Sequence, residues 1–162
     1  MPVYGPADPR KQKKSMNIRR KAVIMAACYA YYHGKGWSSG GIPYAHNGAG
    51  LPPKHQGPPP NVPEVLDCSW FAYWCYLCAG MKLPGTWTGP QWDHGQSISF
   101  NSLRPADLCF YGQPDVPGAA SHVTVYIGNN KVLSMGGDGG PFLEIVKYRS
   151  DMAGYRRYLP VP

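Results

Sequence analysis

A chain of 162 residues and 17.8 kDa suits one domain, and 43% hydrophobic residues can fill a core without disulfides or metals. Charged residues make up only 15%, Gly and Pro number 20 and 18, and Lys and Arg outnumber Asp and Glu by 16 to 9. These values exclude collagen, a coiled coil and a fully disordered chain, and no apolar run is long enough to cross a membrane.

The basic excess is local. Residues 8–21 hold seven basic side chains against Asp8, a net +6, while residues 22–162 hold nine basic and eight acidic ones, a net +1. Pro2, Pro6 and Pro9 oppose helix, so residues 1–16 read as a basic arm and 17–162 as one domain. No aromatic or Gly-rich pattern interleaves the arm's charges, so a solvated run is favoured over a nucleic-acid arm. Such an arm suits anchoring to another protein or to an acidic surface. The stretch Ala22–Ala27 before Cys28 mimics a secretory signal, but six apolar residues fall short of a working one. The expectation is synthesis in a cytoplasm, with release by lysis or carriage in a particle.

Asn17 can cap a helix over about 18–32. Residues 34–63 contain seven Gly and seven Pro and predict a long loop. Asp67-Cys68-Ser69 opens an apolar helix that runs to about Ala79 and stops at Gly80. Residues 84–102, with Trp87, Trp92 and His94, predict a second loop.

Strands follow at 107–111, 122–127, 131–135, 142–148 and 155–159, with a turn at Gly128-Asn129-Asn130 and a Gly-rich loop at 136–140. Helices first and an antiparallel meander after them predict an α+β fold, the sheet packed on the Cys68 helix.

Five cysteines make a disulfide framework unexpected in a cytosolic chain. Cys75 and Cys78 lie inside an apolar run with no turn between them, so they read as core and not as a metal or redox pair. No metal site or cofactor is expected. Cys68 is placed differently, at the junction of a polar loop and a helix. There the helix dipole and free N–H groups favour a thiolate, so the reading asks for a thiol more acidic than a free one. A nucleophilic Cys needs a base. Of His33, His46, His55, His94 and His122, only His122 begins a predicted strand, after the small residues Ala119-Ala120-Ser121.

The sequence around both residues resembles the NlpC/P60 family of papain-like cell-wall peptidases. The matching blocks are Asp67-Cys68-Ser69-Trp70-Phe71, then Leu103-Arg104-Pro105-Ala106-Asp107-Leu108, then Ser121-His122-Val123-Thr124-Val125-Tyr126-Ile127-Gly128. The tail, with Lys131–Gly137, Gly140-Pro141-Phe142 and Tyr148-Arg149, is similar to versions encoded by phages of actinobacteria. The resemblance spans about residues 40–158.

It implies Cys68 as nucleophile and His122 as general base. It places the third member at Ser134, twelve residues after the His, where many members have His; Asp138 is the alternative. Tyr44 and the Cys68 N–H would form the oxyanion hole, and Asp67, Ser69 and Trp70 would adjoin the substrate. Trp70 stands where the family has Gly or Ser, and either narrows the cleft or packs beneath it. Ala106 replaces a usual Gly. Trp37, Trp87 and Trp92 either wall a groove or pack loops onto the domain.

The implied activity is a cysteine endopeptidase acting on peptidoglycan stem peptides, often at the bond between D-glutamate and the diamino acid. The setting would be a phage lysin or a virion tail tip, with the arm contacting other virion proteins. The alternative is a weakened or inactive relative serving as a structural or interaction protein of a phage tail. An acyltransferase or amidase on the same fold is a third.

Overall fold

The computed structural model describes residues 9–35, 41–44, 57–116, 121–137 and 139–160. Trp37, His46, His55, Ala119, Ala120, Asp138 and the first eight residues of the arm lie outside them.

Helix α1 runs from Pro9 to Lys35 and so begins earlier than the Asn17 cap predicts. Proline at the first helical position lacks only an N–H that no helix partner would take. The Lys, Arg and Gln that follow are good helix formers. Val23, Ala26, Ala27 and Ala30 recur at helical spacing and are all buried. Three are alanines, which lets α1 lie close to the next helix. Ile18, Met25 and Tyr32 stay exposed on the outer side.

Helix α2, Cys68–Cys78, has the bounds the sequence predicts. Asp67 caps it by accepting from the Trp70 N–H at 2.8 Å. Gly80, at φ +75°, ends it, with the Gly80 and Met81 amides returning to the Leu77 and Tyr76 carbonyls. Cys75 is buried and Cys78 half-buried, and all five cysteines are free thiols.

A short helix α3, Thr88–Asp93, interrupts the predicted second loop. Six residues containing Gly89-Pro90 have little intrinsic helicity, and tertiary bonds hold them. Gln91, fully buried, donates from Nε2 to the Ser69 and Gly85 carbonyls at 3.1 and 3.0 Å.

Six strands form one antiparallel sheet: β1 Gln96–Ile98, β2 Leu108–Gly112, β3 Ser121–Gly128, β4 Lys131–Gly136, β5 Gly139–Ile145 and β6 Met152–Arg157. Their order is β1-β6-β2-β3-β4-β5. The meander holds for β2 to β5. The chain then crosses back, and β6 pairs with β2 on the far side. Strands β5 and β6 both shift toward the N-terminus of their expected ranges, and β1 lies inside the predicted second loop. β5 starts inside the predicted Gly-rich loop, and β6 starts three residues before Tyr155. Asn129 and Asn130, both at positive φ, make the two-residue hairpin turn between β3 and β4.

Alternate residues divide the sheet. Leu108, Phe110, Val123, Val125, Leu133 and Met135 join α1 and α2 in the main core. Cys109, Tyr111, Val132 and Tyr155 join a smaller cluster with Leu103 and Val146. Asp107, wholly buried before β2, ties the layers together. It accepts from the Arg157 fork at 3.1 and 2.7 Å and from the Arg104 N–H at 2.7 Å. Arg20 of α1 lies 3.6 Å from the same carboxylate and also donates to the Pro105 and Leu159 carbonyls. One charge of the basic stretch is therefore a buried fold contact and not part of a solvated arm.

Candidate active site

Cys68 opens α2 because Asp67 occupies the cap. The Cys68 sulfur accepts a hydrogen bond from the Val123 amide of β3, one residue beyond His122. The strand therefore carries the histidine to the helix start. His122 is buried on β3, opposite Tyr111 in the β2 register. The Tyr111 ring lies 5.7 Å from the imidazole and supports it. His122 Nε2 is 2.7 Å from Ser134 Oγ on β4. That bond engages Nε2, so Nδ1 is the ring nitrogen that can take a thiol proton whenever Nε2 carries the ring hydrogen.

The electrostatics differ from the sequence expectation. Burial pushes the Cys68 thiol up to about 11, and the Asp67 carboxylate adds to the rise. Backbone N–H groups at the helix start oppose this but do not win. Desolvation of the buried sulfur thus outweighs the helix-end field and favours the thiol over the thiolate. The neutral form of His122 is favoured as well. Burial, then the Arg149 guanidinium, lower it to about 4, against a smaller opposing pull from Asp151.

The histidine value has a stability consequence. The unfolded chain protonates this histidine below about 6.5, whereas the fold resists protonation until about 4. Stability therefore falls as pH drops through that window, by up to about 3 kcal/mol. Denaturant midpoints at pH 7 and pH 4.5 should show a smaller acid loss in His122→Gln than in the wild type. Equal losses would remove His122 as the cause.

Tyr44 reaches the site through a short extended segment. Ile42 exchanges backbone hydrogen bonds with Gly140 at 2.7 and 3.1 Å, and Tyr44 bridges to Leu66, two residues before Cys68. Burial, with Cys68 and Asp67 nearby, raises the Tyr44 phenol to about 12, so it stays a hydrogen-bond donor. Gly41, at φ +74°, makes the approach possible, since a Cβ there would come within 2.5 Å of the Gly140 carbonyl oxygen. Gly41→Ala should displace this segment and lower activity more than tenfold, with a stability loss of about 1–3 kcal/mol. Parallel assays of turnover and thermal unfolding check both.

The other residues singled out at the helix start have structural partners. Asp67 is the cap and accepts from the Ser69 hydroxyl at 3.2 Å. Trp70 is buried in the main core and stands edge-on to Tyr73 at 5.1 Å. Trp92 packs on Phe110 and under the Arg156 guanidinium, which sits 3.4 Å from its ring centre. Trp87 remains half-exposed beside Thr88, whose hydroxyl meets Ser121 at 2.7 Å next to His122. Ala106 adopts φ +84°, which explains the glycine usual at that position.

Sequence reasoning gave Tyr148 no role in the site, although Tyr148-Arg149 is among the residues that carry the resemblance. The Tyr148 hydroxyl lies 3.0 Å from Ser134 Oγ. Tyr148 follows β5 by three residues, and the resemblance assigns it no role. Among the described residues, no group of three or more His, Cys, Asp or Glu is placed to hold a metal ion.

Residues 41–152 match the NlpC/P60 family. The chain is 32% identical over 100 residues to the peptidoglycan endopeptidase RipA of Mycobacterium tuberculosis, covering 61% of this chain and 20% of that protein. It is 31% identical over 101 residues to RipB of the same species, covering 62% and 40%. The chain thus matches only a fifth to two fifths of these relatives' length.

Among solved structures, the P60 domain of a Mycobacterium avium paratuberculosis antigen is similar at TM-score 0.60 and 27% identity, over 88% of this chain and 93% of that one. RipD of M. tuberculosis, described as a non-catalytic NlpC/p60 protein adapted to peptidoglycan binding, is similar at TM-score 0.59 and 25% identity, over 87% and 98%. The matched span runs from the segment bearing Tyr44, through Cys68, His122 and Ser134, to the first residue of β6: the chain belongs to the NlpC/P60 family and has its papain-like α+β fold.

Proposed function

We propose that the chain is a cysteine endopeptidase of bacterial peptidoglycan that cuts the stem peptide. The observation that carries this is the Cys68 sulfur at a capped helix start, held against β3 beside a histidine whose Nε2 is tied to Ser134. Relatives named as peptidoglycan endopeptidases support the substrate class.

The chemistry follows from two neutral partners. His122 Nδ1 takes the thiol proton as the Cys68 sulfur attacks the peptide carbonyl. The Cys68 N–H and the Tyr44 hydroxyl donate to the oxyanion. The protonated Nδ1 gives its proton to the leaving amine, and the C–N bond breaks. Water, deprotonated by His122, then attacks the thioester and frees the acid and the thiol.

The bond between D-glutamate and the diamino acid is the proposed target. The setting proposed is a phage lysin or tail tip, with the basic arm as its tether. Mass spectrometry of fragments released from sacculi tests the bond. A new free amine on the diamino acid supports an endopeptidase, whereas loss of whole stem peptides from the glycan would make it an amidase.

One observation favours a second reading. Ser134 cannot supply the charge that a carboxylate or second imidazole would offer a protonated His122. A weakened relative would release little from sacculi, and an inactive structural or interaction protein of a phage tail would release nothing.

A further inference from the structure

We propose that Tyr148 is a positioning residue that fixes the His122 tautomer through Ser134. The proposal rests on His122 as general base. Ser134 Oγ lies between His122 Nε2 at 2.7 Å and the Tyr148 hydroxyl at 3.0 Å. Ser134 is buried, so its single hydroxyl hydrogen must go to one of these two neighbours.

The two choices have opposite consequences. If Ser134 donates to His122 Nε2, the ring proton sits on Nδ1, and Nδ1 cannot accept the thiol proton. If Ser134 donates to the Tyr148 oxygen, its lone pair faces His122 and accepts from Nε2–H. Nδ1 is then free to act as the base. Tyr148 thus provides the acceptor that keeps the serine hydrogen off the imidazole.

The surroundings hold the phenol in place. The Arg149 side chain hydrogen-bonds to Tyr148, and Asp151 grips the Arg149 fork at 2.9 and 2.6 Å. The Tyr148 ring stands edge-on to Tyr111 at 5.3 Å, and Tyr111 also supports the imidazole. Tyr148 is half-buried, so water can take its own hydroxyl hydrogen.

The arrangement predicts an unusual order of variants. Tyr148→Phe leaves the serine hydrogen only one acceptor, His122 Nε2, and locks the wrong tautomer. Ser134→Ala merely removes a support. Tyr148→Phe should therefore lower kcat by at least about tenfold with little change in KM, and lower it more than Ser134→Ala does. The double variant removes the misdirected hydrogen and should recover to the Ser134→Ala level.

Nitrogen-15 NMR of histidine in the full chain tests the tautomer without any substrate. The wild type should show His122 as Nε2–H and Tyr148→Phe as Nδ1–H, with circular dichroism unchanged. The same tautomer in both proteins would overturn the proposal, as would a double variant less active than either single one. If the wild type releases nothing from sacculi, the hydrolase reading fails, while the NMR result still decides the role of Tyr148.

Discussion

His122→Ala should lower kcat/KM for peptidoglycan fragments by about 10²–10⁴-fold while the protein stays folded. A neutral thiol held up at about 11 carries almost no thiolate at pH 7, so it needs a base at the moment of attack. Beside Cys68 the deprotonated imidazole offers one, and its value of about 4 keeps it available across the neutral range. Activity should therefore persist to lower pH than an unperturbed histidine would allow. Ser134→Ala should cost less, because a hydroxyl orients the ring without stabilising its charge. Equal and total losses in both variants would give Ser134 a larger role than orientation. A resting thiol of this kind should also react slowly with iodoacetamide at neutral pH.

The largest loss of stability should come from Asp107→Ala. The carboxylate is fully buried and faces Arg157 directly, with Arg20 at 3.6 Å. Both guanidinium groups are about nine-tenths buried. Removing the carboxylate leaves two enclosed cations facing each other and strips the Arg104 amide of its acceptor. Breaking a buried pair from one side costs about 3–5 kcal/mol. That is a large part of what a domain of this size has to lose. Urea midpoints of the wild type and variant measure it, and a loss below about 1 kcal/mol would show that the network contributes little.

What could be read beforehand followed the range of the interactions. Cys68 was visible because a polar cap, an apolar helix and Gly80 lie within fourteen consecutive residues. The hairpin joining β3 to β4 was visible through its Asn-Asn turn, and it fixed the separation of His122 and Ser134.

Other features depended on distant contacts. Helix α3 exists through Gln91 bonding to Ser69 and Gly85 and has no periodicity of its own. Strand β6 pairs with β2 across more than forty residues of chain. The helix-start field on Cys68 was legible, but the burial that overrides it is a property of the assembled core. Arg20 sits in a run of basic residues, and nothing local separates it from the exposed Arg19 and Lys21. Tyr148 enters the site only because β5 returns beside β4.

The most direct test is muropeptide release from actinobacterial sacculi by the full chain and by Cys68→Ala, side by side. The account predicts new muropeptides with the wild type and none with the variant. Equal release by both would contradict Cys68 as the nucleophile, and no release by either would contradict the peptidase itself.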